Sequence, residues 1–239
     1  MQEIENQDPC NQKVESRDRY NELFARLASL KQRAFIPYAM LGYPDFDSCL
    51  DSIKCMIENG ADALELGLAF SDPLADGPII QDAAACTIAS GFSSKEAFKL
   101  IAAIRELDKD IPICLMTYYN PVLATGEKNF LSQASKAGVD AILIVDLPLE
   151  EAAALAETCK EYKIKQVFIV SPLTRQSRLK ALAAYAGAFI YAVSRLGVTG
   201  VEENYDRDLE DLIANSKALC KLPVIVGFGI SSPEQAKRI

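Results

Sequence analysis

Seven short apolar runs, each followed by a stretch of helical period, set the kind of fold this chain can adopt. The runs lie at 34–41, 62–67, 111–116, 141–145, 166–170, 188–193 and 224–226. They are continuous rather than alternating, as expected of strands buried on both faces. Ahead of the first run, Tyr20, Leu23, Phe24, Leu27 and Leu30 recur at helical spacing. After it, Leu50, Ile53 and Ile57 mark a helix that opens at Asp47 and closes at Asn59-Gly60. Phe98, Ile101 and Ile104 follow a capping box, Ser93-x-x-Glu96. Further helical patterns fall around 130–136, 150–162, 175–185 and 208–219, and a last one opens at Ser232. Strands that alternate with helices pair in parallel through right-handed crossovers, giving an open doubly wound sheet or a closed barrel. No Gly-x-Gly-x-x-Gly follows any run, which lowers the case for a dinucleotide-binding sheet. The expectation is therefore an α/β (β/α)8 TIM barrel with an extra N-terminal helix, its last strand and helix lying beyond Ile239.

The 239 residues suit one such domain. Residues 1–15 are polar and aperiodic and read as a disordered leader, with 16–239 the barrel, incomplete at its C-terminal end. Against 25 basic side chains stand 33 acidic ones, and a net charge of −8 argues against a nucleic-acid surface. The seven cysteines are scattered and never spaced as Cys-x-x-Cys, so they read as free thiols in a reducing cytoplasm. The acidic N-terminus is no signal peptide, and no apolar run approaches the roughly 18 residues of a membrane span. Histidine is absent altogether. That excludes His-ligated zinc, Ser-His-Asp and Cys-His nucleophiles, and any His general base. Proton transfers, if the chain is an enzyme, fall to carboxylates, Lys, Tyr or Cys.

Parallel barrels place their chemistry where strands end and loops begin. The second run offers Glu65 there, between Leu64 and Leu66, and the loop Phe70-Ser-Asp-Pro-Leu-Ala-Asp-Gly-Pro78 follows. Taken singly, Glu65 reads more readily as a solvated or ion-paired strand-end acid than as a catalytic one. Ser71-Asp72-Pro73 and Asp76-Gly77-Pro78 read as turns. Gly200, Gly227 and Gly229 either shape turns or let the backbone approach a phosphate closely.

Together these strings say more. Gly60-Ala-Asp-Ala-Leu-Glu-Leu-Gly67, Phe70 to Pro78, Ser194-Arg-Leu-Gly-Val-Thr-Gly200 and Gly227-Phe-Gly-Ile-Ser-Ser-Pro233 resemble, in order and spacing, the motifs of the tryptophan synthase alpha chain family. The resemblance covers about 17–239. It implies a (β/α)8 barrel, a lyase of tryptophan biosynthesis. Such a lyase cleaves indole-3-glycerol phosphate to indole and glyceraldehyde 3-phosphate. It implies no cofactor on this chain and a pyridoxal-phosphate-dependent beta chain as partner, in an α2β2 heterotetramer in the cytoplasm. It carries the catalytic carboxylates onto Glu65 and Asp76. Glu65 would move protons at indole C3 and the side-chain hydroxyl, with a pKa raised to about 6–7 by its apolar surroundings. Asp76 would stay ionised beside the ring N–H. Leu143, Ile169, Tyr191 and Phe228 would line the indole slot, with Tyr38 and Met116 nearby. Gly200 and Gly229 would hold the phosphate, together with a Gly-Ser pair from the loop after strand eight. Arg195 and Thr199 would sit in the loop that closes over substrate, Thr199 touching the Asp76 carboxylate. Tyr118, Asn120, Asp146 and Pro148 match patterns near the pocket and the partner interface.

Two features depart from the pattern. Ala69 stands where the family usually has proline, and the chain stops short of strand eight. They motivate an alternative, a catalytically impaired alpha-like subunit that binds and activates the beta chain. A third reading, another barrel enzyme acting on a sugar phosphate, leaves the 70–78 string unexplained.

Overall fold

A computed structural model describes residues 17–193, 205–227 and 233–238. In chain order the elements are α1 (Arg19–Leu30), β1 (Tyr38–Met40), α2 (Phe46–Glu58), β2 (Leu64–Gly67), α3 (Pro78–Ala89), α4 (Ser94–Leu107), β3 (Ile113–Thr117), α5 (Tyr119–Thr125), α6 (Glu127–Ala137), β4 (Ala141–Ile144), α7 (Leu149–Glu161), β5 (Lys165–Val170), α8 (Gln176–Leu182), β6 (Ile190–Val193), α9 (Tyr205–Cys220), β7 (Val224–Gly227) and α10 (Pro233–Arg238). The strands form one parallel sheet in sequence order, β1 to β7. This is the expected β/α alternation, with every apolar run a strand. The first strand, Tyr38–Met40, is shorter than its run, although the Phe35 and Pro37 carbonyls still accept from Asp62 N and Glu65 N of the neighbouring segment.

The sheet is strongly curled. Glu65 on β2 and Tyr191 on β6 are four strands apart in sheet order, roughly 19 Å in a flat sheet. Their side chains nevertheless meet at 3.2 Å. Alternate side chains therefore divide into two cores. Leu64, Leu66, Ile113, Leu115, Ile142, Ile144, Phe168 and Ile190 point outward and pack under the helices. Cys114, Met116, Ala141, Leu143, Val167, Phe189 and Tyr191 point inward, with Tyr38, Ile169 and Ile225 at the margin.

Helix α1 closes the N-terminal end of that interior. Asp18 caps it by accepting from Asn21 N, and Tyr20, Leu23 and Leu27 turn inward. The Tyr20 ring packs on Phe189 with centroids 5.4 Å apart. A charged network ties this end together. Asp140 accepts from Arg19 at 2.7 Å, from Arg105 at 2.9 Å and from Ile113 N at 2.9 Å. Arg105, itself buried, also donates to the Ile111 and Gly138 carbonyls. Lys165 reaches Asp18 at 2.5 Å. With α1 across this end of the interior, the site is sought at the other, C-terminal end of the strands.

The helix boundaries follow local chemistry. The helix expected from Asp47 starts one residue earlier, because Asp45 is the cap and accepts from Ser48 N. The Ser93/Glu96 capping box forms at the start of α4. Gly77-Pro78, read from sequence as a turn, instead opens α3, with Pro78 at the first helical position. Helix α10 begins at Pro233, immediately after the expected Ser232. No helix among the described residues is long and apolar enough to cross a membrane.

Candidate active site

Glu65 lies in the middle of β2, paired in register with Tyr38 on one side and Cys114 on the other. Both neighbours face the interior, so the strand's alternation carries the carboxyl inward, where it is 6% exposed. Its Oε2 accepts from the Tyr191 hydroxyl at 3.2 Å, and its Oε1 has no partner among the described residues. Burial disfavours the charged form and pushes the pKa up to about 7, the Tyr191 hydrogen bond opposing it. That value suits a group that gives and takes protons near neutrality.

Tyr191 reaches Glu65 only because of a glycine. A Cβ at Gly227 would fall 1.9 Å from the Tyr191 hydroxyl oxygen. Sequence reasoning weighed Gly227 only as a turn or phosphate glycine; in the structure it makes room for a phenol. Gly67 has the same relationship with Tyr38, a Cβ there falling 2.0 Å from the Tyr38 oxygen. The only sequence signal for either role is a glycine ending an otherwise bulky strand.

Asp76 sits in the loop between β2 and α3 and is half-buried. Its Oδ2 accepts from the Tyr118 hydroxyl at 3.1 Å, and that same hydroxyl accepts from Ala75 N at 3.0 Å. Tyr118 thus pins the loop to the end of β3. Phe70 packs against Tyr118 with ring centroids 5.2 Å apart. Burial raises the Asp76 pKa above the ordinary aspartate value, and the hydrogen bond from Tyr118 opposes this. Asp146 supports Tyr118 from behind, accepting from Tyr119 N at 2.7 Å at the start of α5.

Both carboxylates act electrostatically on one phenol. Tyr38, between them, has its phenol raised by burial first and then by the charges of Asp76 and Glu65. Leu143, Met116 and Tyr191 are buried in the same interior, with Ile169 at its edge. Asn120 is exposed on α5, and Pro148 caps α7. Arg195, Thr199, Gly200, Phe228 and Gly229 lie outside the described residues. Ala69, the position expected to carry proline, packs with Met40, Ala83 and Ala84 against the foot of the loop. Two acids of different exposure, each with a tyrosine donor, flanking an apolar interior, can move protons at two points of one aromatic ligand.

Comparison with known proteins identifies the family. The family model described as tryptophan synthase alpha chain matches residues 24–239. The tryptophan synthase alpha chain of Escherichia coli strain SMS-3-5 is 41% identical over 220 residues, 92% of this chain and 82% of that protein. The corresponding protein of Citrobacter koseri is 41% identical over 218 residues, 91% of this chain and 81% of that one. Among solved structures, the tryptophan synthase α2β2 complex of Pyrococcus furiosus contains a chain that superposes with a TM-score of 0.78. The two are 40% identical, covering 86% of this chain and 82% of that one. Tryptophan synthase of Mycobacterium tuberculosis gives a TM-score of 0.84 at 30% identity, covering 93% and 84%.

Proposed function

The chain belongs to the tryptophan synthase alpha chain family, and from that premise we propose that it splits indole-3-glycerol phosphate into indole and glyceraldehyde 3-phosphate with Glu65 and Asp76 as its catalytic carboxylates. As a member of that family it is a lyase of tryptophan biosynthesis. The observation that carries the reaction is the buried Glu65 carboxyl, poised near pH 7 and held by Tyr191, opening on an interior it shares with Tyr38 and Leu143.

In this reading protonated Glu65 delivers its proton to indole C3, which places positive charge on the ring. Asp76, beside the ring N–H, stabilises that cation. Glu65, now ionised, removes the proton of the hydroxyl on the adjacent carbon. The bond between C3 and that carbon then breaks, its electrons return to the ring, and the hydroxyl oxygen becomes the aldehyde oxygen. Glu65 ends protonated, as it began. Oxygen acids suffice for every step, so the reaction needs no cofactor on this chain and no histidine. By the family resemblance, Leu143, Ile169, Tyr191 and Phe228 would enclose the ring, Thr199 would serve Asp76, and Gly200 and Gly229 would receive the phosphate. Pyridoxal phosphate belongs to the beta chain, with which this chain forms an α2β2 complex, as the P. furiosus relative does by its description. Nothing in the described residues favours an impaired alpha-like subunit: Glu65 and Asp76 are both in place with their tyrosine donors. Indole release from indole-3-glycerol phosphate, assayed with a beta chain present, tests the proposal. Turnover is expected, and its absence would overturn the reading.

A further inference from the structure

The proposed reaction leaves one group in the site without a task, the hydroxyl of Tyr38. It has no hydrogen-bond partner among the described residues. Its place is nevertheless well defined. Tyr38 pairs in register with Glu65, and its hydroxyl oxygen fills the space where a side chain at Gly67 would begin. Positions 65 and 67 share the interior face of β2, so this oxygen stands one residue pair above Glu65, toward the open end of the barrel. The charges of both Asp76 and Glu65 act on it. The ring below is fixed, packed between the interior core and the Met40–Ala83–Ala84 cluster. A neutral phenol between two carboxylates keeps its proton and can only gain by donating it to an acceptor.

The substrate brings such an acceptor to this level. In the lyase reading the hydroxyl next to the indole ring gives its proton to Glu65, whose partner in register on β1 is Tyr38. Resting on the lyase reading above, we propose that Tyr38 is a substrate-contacting residue whose hydroxyl donates a hydrogen bond to this substrate oxygen. Negative charge develops there as Glu65 withdraws the proton, and a fixed donor in a water-poor site stabilises it. Tyr38 keeps its own proton throughout. The same contact reads the substrate, since a ligand lacking that hydroxyl offers Tyr38 nothing.

Tyr38→Phe keeps the ring and its packing and removes only the donor. The test compares wild type and variant, each with its beta chain, on two compounds. One is indole-3-glycerol phosphate; the other is 3-(indol-3-yl)propyl phosphate, which carries no hydroxyls on the linking chain. The variant is expected to lose about 10- to 100-fold in kcat/KM for the substrate. Its Kd for the deoxy compound should stay within about two-fold of wild type. Equal losses on both compounds would make Tyr38 a packing residue and overturn the proposal, as would no loss on either. A wild-type protein that binds the deoxy compound but releases no indole would instead remove the lyase reading on which this one rests.

Discussion

The Tyr191 hydroxyl donates to the Glu65 carboxylate at 3.2 Å across 126 positions of sequence, from the sixth strand to the second. This bond is the centre of the site, since it fixes one oxygen of Glu65 while the other has no partner among the described residues. It also opposes the rise in pKa that burial imposes. Tyr191→Phe is therefore expected to raise the Glu65 pKa further, shifting the corresponding limb of the rate profile to higher pH. Gly227→Ala should act in the same direction, because its methyl would displace the phenol. Rate against pH for both variants checks this; an unshifted profile would detach Tyr191 from Glu65.

Glu65 also ties stability to pH. Its folded pKa of about 7 lies above the ordinary glutamate value of 4.5. Below the lower value both states are protonated and the group has no effect. Between the two, the unfolded chain ionises while the fold still binds the proton, so stability falls as pH rises to about 7. Glu65→Gln removes this penalty. The variant should match wild type near pH 4 and exceed it by about 3 kcal/mol above pH 7. Chemical denaturation at the two pH values measures the difference.

Tyr118 holds Asp76 and the backbone of Ala75 with one hydroxyl. Tyr118→Phe frees both, and the loop that carries Asp76 loses its anchor to β3. A roughly 10-fold loss in kcat/KM with little change in melting temperature is expected, since two hydrogen bonds to a partly exposed loop are at stake. Asp76→Asn should cost more, because it removes the charge itself; steady-state kinetics of the two variants decide the order.

At the opposite end, Asp140 joins Arg19, Arg105 and the backbone of Ile113. Asp140→Ala leaves the buried Arg105 guanidinium without its carboxylate, and should destabilise the fold by about 3–5 kcal/mol. Gly138→Ala strains the same place: its φ is +99° and a Cβ would lie 2.9 Å from Arg105 Nε. Neither touches the upper end of the interior, so kcat at low temperature should survive in both.

Much of this was legible in the sequence, for identifiable reasons. Strands buried on both faces are continuous apolar runs, and each of the seven was found. Helix α3 was not, because Pro78-Ile-Ile-Gln-Asp-Ala-Ala-Ala buries small residues, Ala83, Ala84 and Thr87, and shows no apolar stripe. The short α5 was hidden by Pro121 and by its length of seven residues. Glu65 and Asp76 stood out through their motif, and Glu65 through its apolar flanks. The tyrosines' donor roles did not, since the Tyr191–Glu65 contact exists only once the sheet curls. Gly227 and Gly67 show in sequence only as glycines ending bulky strands, which does not reveal the phenols they admit.

The central claim is that Glu65 and Asp76 work at two points of one indole ring. A crystal structure of this protein with its beta chain and 3-(indol-3-yl)propyl phosphate bound tests it most directly. The account predicts the ring N–H within hydrogen-bond distance of Asp76 and ring carbon C3 facing the Glu65 carboxyl. A ring seated beyond reach of either carboxylate would contradict it.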